Sequence, residues 1–262
     1  MTQTEPQYAV RLARSEADLR AAQRLRYAVF VEELGGGGAL VDHTARLEKD
    51  RFDPFFDHLL LLDEHRPVGD RVVGVYRLLR QDQARQAGQF YSEDEFDLTA
   101  LTASGRRLLE LGRSCLHRDY RGGMGMYHLW HALAGYVEKH RLEIVFGVAS
   151  FHGVDQQALA APLSLLHHRH LAPADLRVTA RATGVAPMDL IPPEDLDRRA
   201  AMLAVPALIK AYLRLGGFVG QGAFIDRAFN TTDVCLILDV ARMNESQRAI
   251  YTRPVPDRAV QP

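Results

Sequence analysis

Two arginines, Arg77 and Arg113, lie inside apolar runs that read as strands, where an unpaired charge is expensive. Each needs an anionic partner. That partner is either an internal carboxylate, such as Glu110 or an acid of the preceding loop, or a substrate carboxylate gripped by two parallel hydrogen bonds. Both readings can hold together. Glu48, Asp50 and Asp53 crowd one stretch after the four-glycine break Gly35 to Gly38. Three carboxylates on a loop either gather the ammonium groups of a diamino acid or form a solvated charge run. A third feature, Arg121-Gly122-Gly123-Met124-Gly125, stands between a strand and a helix. Glycines let the backbone approach a ligand closely, and free amides at a helix N-terminus bind phosphate, although the same residues suit an ordinary tight turn. Cys115 beside His117 offers a thiolate route. Strand alternation works against it, and the unequal parity of Glu110 and Arg113 means that a bulge is needed to bring those two to one site.

The elements that must position these groups follow from periodicity. Tyr8 to Ala13 alternates as a half-buried strand, and Ser15 caps a helix carrying Leu19, Ala22, Leu25 and Val29. A loop runs on from the glycines through Asp57. His58 to Leu62 and Arg71 to Leu79 predict a hairpin, and Arg107 to Leu116 a third strand, reached through an acidic linker around Ser92 to Asp97. Met124 to His140 is amphipathic and Ile144 to Ser150 is apolar, so strand, glycine turn, helix and strand make one βαβ unit. Asp155 is placed to cap a helix that ends in His167, His168 and His170, a cationic end suited to the helix dipole. No metal is expected there. A proline-marked loop from Ile191 to Arg199 precedes a helix from Val205 to Leu215, and Val234 to Val240 is a late strand.

Composition excludes several classes. The 262 residues, 47% of them hydrophobic, suffice for a sizeable core. Lys+Arg 32 against Asp+Glu 33 leaves no broad basic field for a nucleic-acid backbone. Cys115 and Cys235 are isolated in apolar runs and read as buried thiols of a reducing compartment. The segment Met1 to Tyr8 lacks a signal-peptide core, and no apolar run approaches the roughly 20 residues that span a bilayer. A cytoplasmic location is expected, peripheral at the inner membrane at most.

The order of strands around a central βαβ unit, with its Arg-Gly turn, resembles the GNAT superfamily of acyltransferases. The resemblance implies an α/β fold with a central, mixed, mostly antiparallel twisted sheet flanked by helices. It implies one domain over 1–262, with 191–262 as an additional part packed on it. The turn departs from the family pattern, because Met124 and Met126 stand where glycines are usual. Arg26, Phe30, Glu48, Asp50, Asp53, Arg77, Glu110 and Arg113 together resemble the acyl-homoserine-lactone synthases, which join an acyl chain from acyl carrier protein to an amino-acid-derived amine. The tryptophan of that family after the helix phenylalanine is missing, since Leu34 and Gly35 stand there. Lys210 to Gly216, Phe229 to Asp233 and the Phe146 to Gly153 segment resemble the ornithine N-alpha-acyltransferases, a likeness covering about Tyr8 to Asn244.

That resemblance implies transfer of a (3-hydroxy)fatty acyl group from acyl carrier protein to the α-amine of L-ornithine, giving lyso-ornithine lipid. The same chemistry on another amino acid such as glutamine, or a non-catalytic acyl-carrier or lipid-binding module, are the alternatives. Glu110, Arg113 and Arg77 are the implied catalytic residues, with Glu110 the base that frees the amine and His152 the second choice. Arg26, Phe30, Glu48, Asp50, Asp53, Ser150 and His152 are implied to bind the acceptor. Arg118, Arg121, Gly122, Gly123 and Gly125 are implied to bind the donor phosphopantetheine, the cosubstrate in place of any resident cofactor. A patch of Arg118, Arg121, Lys139, His140 and Arg141 is the expected docking face for the acidic carrier, and the amphiphilic product makes transient membrane contact an expectation.

Overall fold

The computed structural model describes residues 5–244 and Ser246. Its strands are β1 (Tyr8–Leu12), β2 (Asp57–Asp63), β3 (Val72–Arg80), β4 (Phe96–Asp97), β5 (Leu108–Leu116) and β6 (Ile144–His152). They continue with β7 (Thr179–Ala180), β8 (Val185–Ala186), β9 (Phe218–Val219), β10 (Ala223–Asp226) and β11 (Thr231–Asp239). Helices are α1 (Glu16–Arg26), α2 (Gln81–Ala87), α3 (Thr99–Thr102), α4 (Gly125–Lys139), α5 (Ala160–His170), α6 (Arg198–Ala204) and α7 (Ala207–Arg214).

The main sheet runs β1-β2-β3-β5-β6-β11-β10-β8, with β9 also paired to β11 and with β4 and β7 forming a small ribbon apart. Every neighbouring pair in it is antiparallel except β5 and β6. Those two are joined by α4, and a parallel pair requires such a crossover. The expected GNAT-like mixed sheet is therefore what forms.

Each face of the sheet is covered differently. On one side Leu129, Trp130 and Leu133 of α4 and Ile209 of α7 pack with Leu109, Leu111 and Leu236. On the other, α1 seats Ala22 and Leu25 on Leu60 and Val75, and Phe52, Phe56, Phe90 and Phe96 pack with Phe146 and Ile237. Ser15 caps α1 as expected, accepting from the Asp18 amide, and α1 then widens into a π-helical turn, Tyr27–Glu33.

Three expectations change. Asp155 accepts from the amides of Gln157 and Ala158, so it closes a turn ahead of α5 and the helix itself starts at Ala160. The proline-marked loop from Ile191 ends at Asp197, whose carboxylate accepts from the Arg199 and Ala200 amides and caps α6, a further helix before the late one. The described part of 191–262 is no appendage, because β11 is inserted in the main sheet against the full length of β6. The remainder of that segment, Glu245 and 247–262, lies outside the described residues.

Candidate active site

The bulge that the unequal parity of Glu110 and Arg113 demands is present. Gly112 faces Arg77 and Cys115 faces Val75, so Arg113 and Ser114 together oppose Tyr76. Arg113 takes a left-handed backbone conformation there, φ +50°. A bulge with one residue in that region turns the side chain through the pleat. Arg113 accordingly joins Arg77 on the sheet face that also carries Glu110.

That face holds an internal ion network. Arg26 is fully buried and donates to Glu48 and, at 2.6 Å, to Asp53. Arg77, also fully buried, donates to Asp50 at 2.7 Å and to Asp53 at 2.8 Å. Arg113 Nε donates to Glu48 at 3.1 Å, and its Nη1 to the Tyr91 hydroxyl at 3.2 Å. Three arginines thus meet three carboxylates. The guanidinium groups of Arg113 and Arg26 hold Glu48 down at about 2 against the opposing push of burial. Arg26, Glu48, Asp53 and Arg77 are engaged with one another inside the protein and do not line the cleft. Arg113 is the member of the network that reaches the cleft.

The cleft arises where the parallel strands part. β5 and β6 pair only from Leu108–Glu110 to Ile144–Phe146, although both strands run on to Leu116 and His152. At the point of parting, a Cβ on Gly147 would collide with the Leu111 carbonyl oxygen, so glycine is required for the close approach. Beyond it the facing strand edges border a cavity of about 280 Å³. Its wall includes Phe30, Arg113, Ser114, Ser150, His152 and Phe229. The rings of Phe30, Tyr91 and Phe229 stand 6.0, 5.0 and 4.9 Å from the Arg113 guanidinium carbon, a cation–π enclosure.

Glu110 is placed otherwise than expected. It is buried behind the wall, and its two oxygens accept from the Tyr91 amide at 2.7 Å, the Ser92 amide at 2.6 Å and the Ser92 hydroxyl. Burial pushes it up to about 7 even against these donors. It anchors the segment that delivers Tyr91 and Glu95 to the cleft. Of the two bases read from the sequence, His152 is the one on the cleft wall.

Sequence reasoning missed Tyr91, Glu95, Asp226 and Asp233, all of which line the cleft. Glu95, Asp226 and Asp233 bring carboxylate oxygens within 4.8 Å of one another. Burial and mutual repulsion push Glu95 up to about 9 and Asp233 to about 6. Asp233 carried a signal of the same kind as Arg77, a charge amid the apolar residues of β11. Glu95 and Asp226 carried none.

The glycine-turn residues do not line the cleft. Gly122 has φ +76°, Gly122 and Gly123 are exposed, and the N-cap Met124 makes no side-chain cap to α4. Gly125 is buried against Leu61 and Leu116. Arg118 is exposed, while Arg121 donates to Glu33 at 2.8 Å and so ties the turn to the segment bearing Leu34, a cleft residue. Cys115 packs beside Leu25 and Leu60, and burial pushes its thiol up to about 12. His117 is turned toward Asp119 instead, 3.6 Å away, which removes the thiolate route. The proposed docking patch divides, since Arg118 and Arg121 precede α4 while Lys139, His140 and Arg141 follow its start by 14 residues or more, about 20 Å at helical rise.

Residues 25–131 match the acetyltransferase (GNAT) domain family. A CoA-dependent acyl-homoserine lactone synthase, BjaI, solved with MTA, superposes with TM-score 0.52 at 16% identity, over 94% of this chain and 88% of its own. That likeness concerns the fold. An L-ornithine N(alpha)-acyltransferase of Brucella abortus is 43% identical over 92% of this chain and 88% of its own length. One of Rhodobacter capsulatus is 62% identical over 96% and 97%. A GNAT sheet parted at β5 and β6, together with 62% identity over 96% of the chain, places it in the family of L-ornithine N(alpha)-acyltransferases, as an N-acyltransferase.

Proposed function

We propose that this enzyme moves a fatty acyl group from the thioester of an acyl carrier protein to the α-amine of L-ornithine, releasing lyso-ornithine lipid. One observation carries the reading: the gap between β5 and β6 joins an apolar compartment on one face of the sheet to a charged one on the other. A fatty thioester and a zwitterionic amino acid need such opposite surroundings.

The donor enters from the α4 side. The N-terminal end of α4, with Arg118 nearby, receives the single phosphate of phosphopantetheine. Amides of the pantetheine arm pair with the strand edges left open beyond Glu110 and Phe146. A second cavity of about 320 Å³, lined by Trp130, Leu133, Val137 and Leu238, shares Val145 and Tyr212 with the cleft and suits the acyl chain. The acceptor lies on the opposite face, its carboxylate toward Arg113. The α-ammonium gives a proton to His152, the amine attacks the thioester carbonyl carbon, and backbone amides at the gap stabilise the oxyanion. Collapse breaks the carbon–sulfur bond, the thiolate takes up a proton and the amide remains.

Purified enzyme incubated with 3-hydroxyacyl carrier protein and a panel of amino acids, read by mass spectrometry, tests this. Carrier-dependent N-acyl-ornithine is the expected product. Equal turnover with acyl-CoA would remove the carrier, glutamine as the preferred acceptor would remove ornithine, and no product with any acceptor would overturn the reading. His152→Ala should lower kcat on the order of 10²-fold, the lower end for a general base.

A further inference from the structure

Asp226 Oδ1 accepts from the Ala228 and Phe229 amides, at 2.8 and 3.2 Å, which leaves the gathering of three carboxyl groups on the cleft wall to be explained. Glu95 comes from the segment anchored by Glu110, Asp226 from the end of β10 and Asp233 from β11, so three separate elements converge on one point. Carboxylates this close repel, so the group either holds a proton or is offset by something positive. Within the chain, the internal arginines are directed elsewhere: Arg26 and Arg77 are bound to Glu48, Asp50 and Asp53, and Arg113 to Glu48 and Tyr91.

Independent of the clustering, two oxygens are orphaned. Glu95 is 6% exposed and Asp233 3%, yet Glu95 Oε2 and Asp233 Oδ1 are buried with no hydrogen-bond partner while both residues line the cavity. Leaving a buried acceptor unsatisfied costs about 1–3 kcal/mol, more for a charged group. Either the proton that Glu95 holds, its carboxyl being raised to about 9, or a donor arriving through the cleft supplies that partner. Arg113 stands close enough that its charge acts on both carboxylates, which places an anion site and a cation site in one cavity.

We propose that Glu95, Asp226 and Asp233 form the subsite for the side-chain ammonium of the acceptor, and that they select a diamino acid over its uncharged analogue. The assignment rests on the acyl-transfer reading. An ammonium carries three donors and one charge, enough to satisfy both orphaned oxygens and the partly exposed Asp226. With the carboxylate held at Arg113 and the side-chain ammonium at the trio, the α-amine is left free to face the gap.

The test compares ornithine with norvaline, which has the same carbon chain but no side-chain amine, by acyl-transfer kinetics and by calorimetric binding without donor. Wild type is expected to favour ornithine by at least 100-fold in kcat/KM. Asp226→Asn and Glu95→Gln should each cut that preference at least ten-fold, chiefly through KM, with melting temperatures not lowered. Folded variants that keep the full preference would overturn the subsite. So would ornithine transfer abolished by chelator and restored by calcium or magnesium, which would make the trio a metal site. Ornithine bound in preference to norvaline, with that preference lost in the variants but no acyl transfer by wild type, would support the subsite and overturn the acyl-transfer reading instead.

Discussion

Arg26 shows how a buried charge acts at the scale of one residue. It touches no cleft, yet Glu48 and Asp53 depend on it, and Glu48 in turn holds Arg113 in place. Removing one partner of a buried pair strands the others, so Arg26→Ala should destabilise the protein by about 3–5 kcal/mol, read by chemical denaturation. The same network sets an acid limit. Glu48 is held at about 2, below its ordinary 4.5, so its contribution is present above 4.5 and is lost as pH falls toward 2. His58, buried with its ring bonded to the Asp53 carbonyl, is lowered from 6.5 to about 4; the unfolded chain protonates first, and stability falls as pH drops through that window. Glu95 works in the opposite sense, raised from 4.5 to about 9, so its contribution is lost as pH rises across that range. Melting temperature should fall from pH 6.5 to pH 3, and a flat or rising trend would contradict the network.

At the scale of elements, the parting of β5 and β6 is the feature on which the cleft depends. Two local devices flank it, the Arg113 bulge on β5 and, at the last close contact on β6, Gly147. Gly147→Ala must push a methyl against the Leu111 backbone, which cannot yield without moving the ladder. The expected result is a loss of several degrees in melting temperature together with at least a ten-fold loss of acyl transfer. A variant with normal melting and full activity would show that the close approach is not needed. The bulge could be inferred from sequence because residue parity is a local property of a strand. Where the two strands separate could not, since it depends on pairing between segments that lie over 30 residues apart.

Across the whole molecule, α4 separates the basic groups that looked like one patch. Its N-terminal end follows the glycine turn, and with the phosphate placed there the carrier should engage at that end. Arg118→Glu is expected to raise KM for acyl carrier protein several-fold, while Lys139→Glu at the far end leaves it unchanged; equal effects would restore a face running the length of the helix. Within the described residues no helix is long and apolar enough to cross a membrane.

The sequence by itself determined the βαβ unit, the hairpin and the need of Arg77 and Arg113 for anions. Each is written in periodicity or in the cost of an unpaired charge, both of which act along a short stretch of chain. Phe30, Arg113, Ser150 and His152 were also legible, and they do meet at the cleft. Only the tertiary structure decided that Arg26, Arg77, Glu48 and Asp53 spend their charges on one another, and that Glu110 lies behind the wall. It alone brought Glu95, Asp226 and Asp233 together, because β11 crosses the chain to lie beside β6 and carries its acid to a residue 138 positions earlier. Convergence at that separation leaves no mark on local spacing, and it is where the acceptor's second charge is expected to be read.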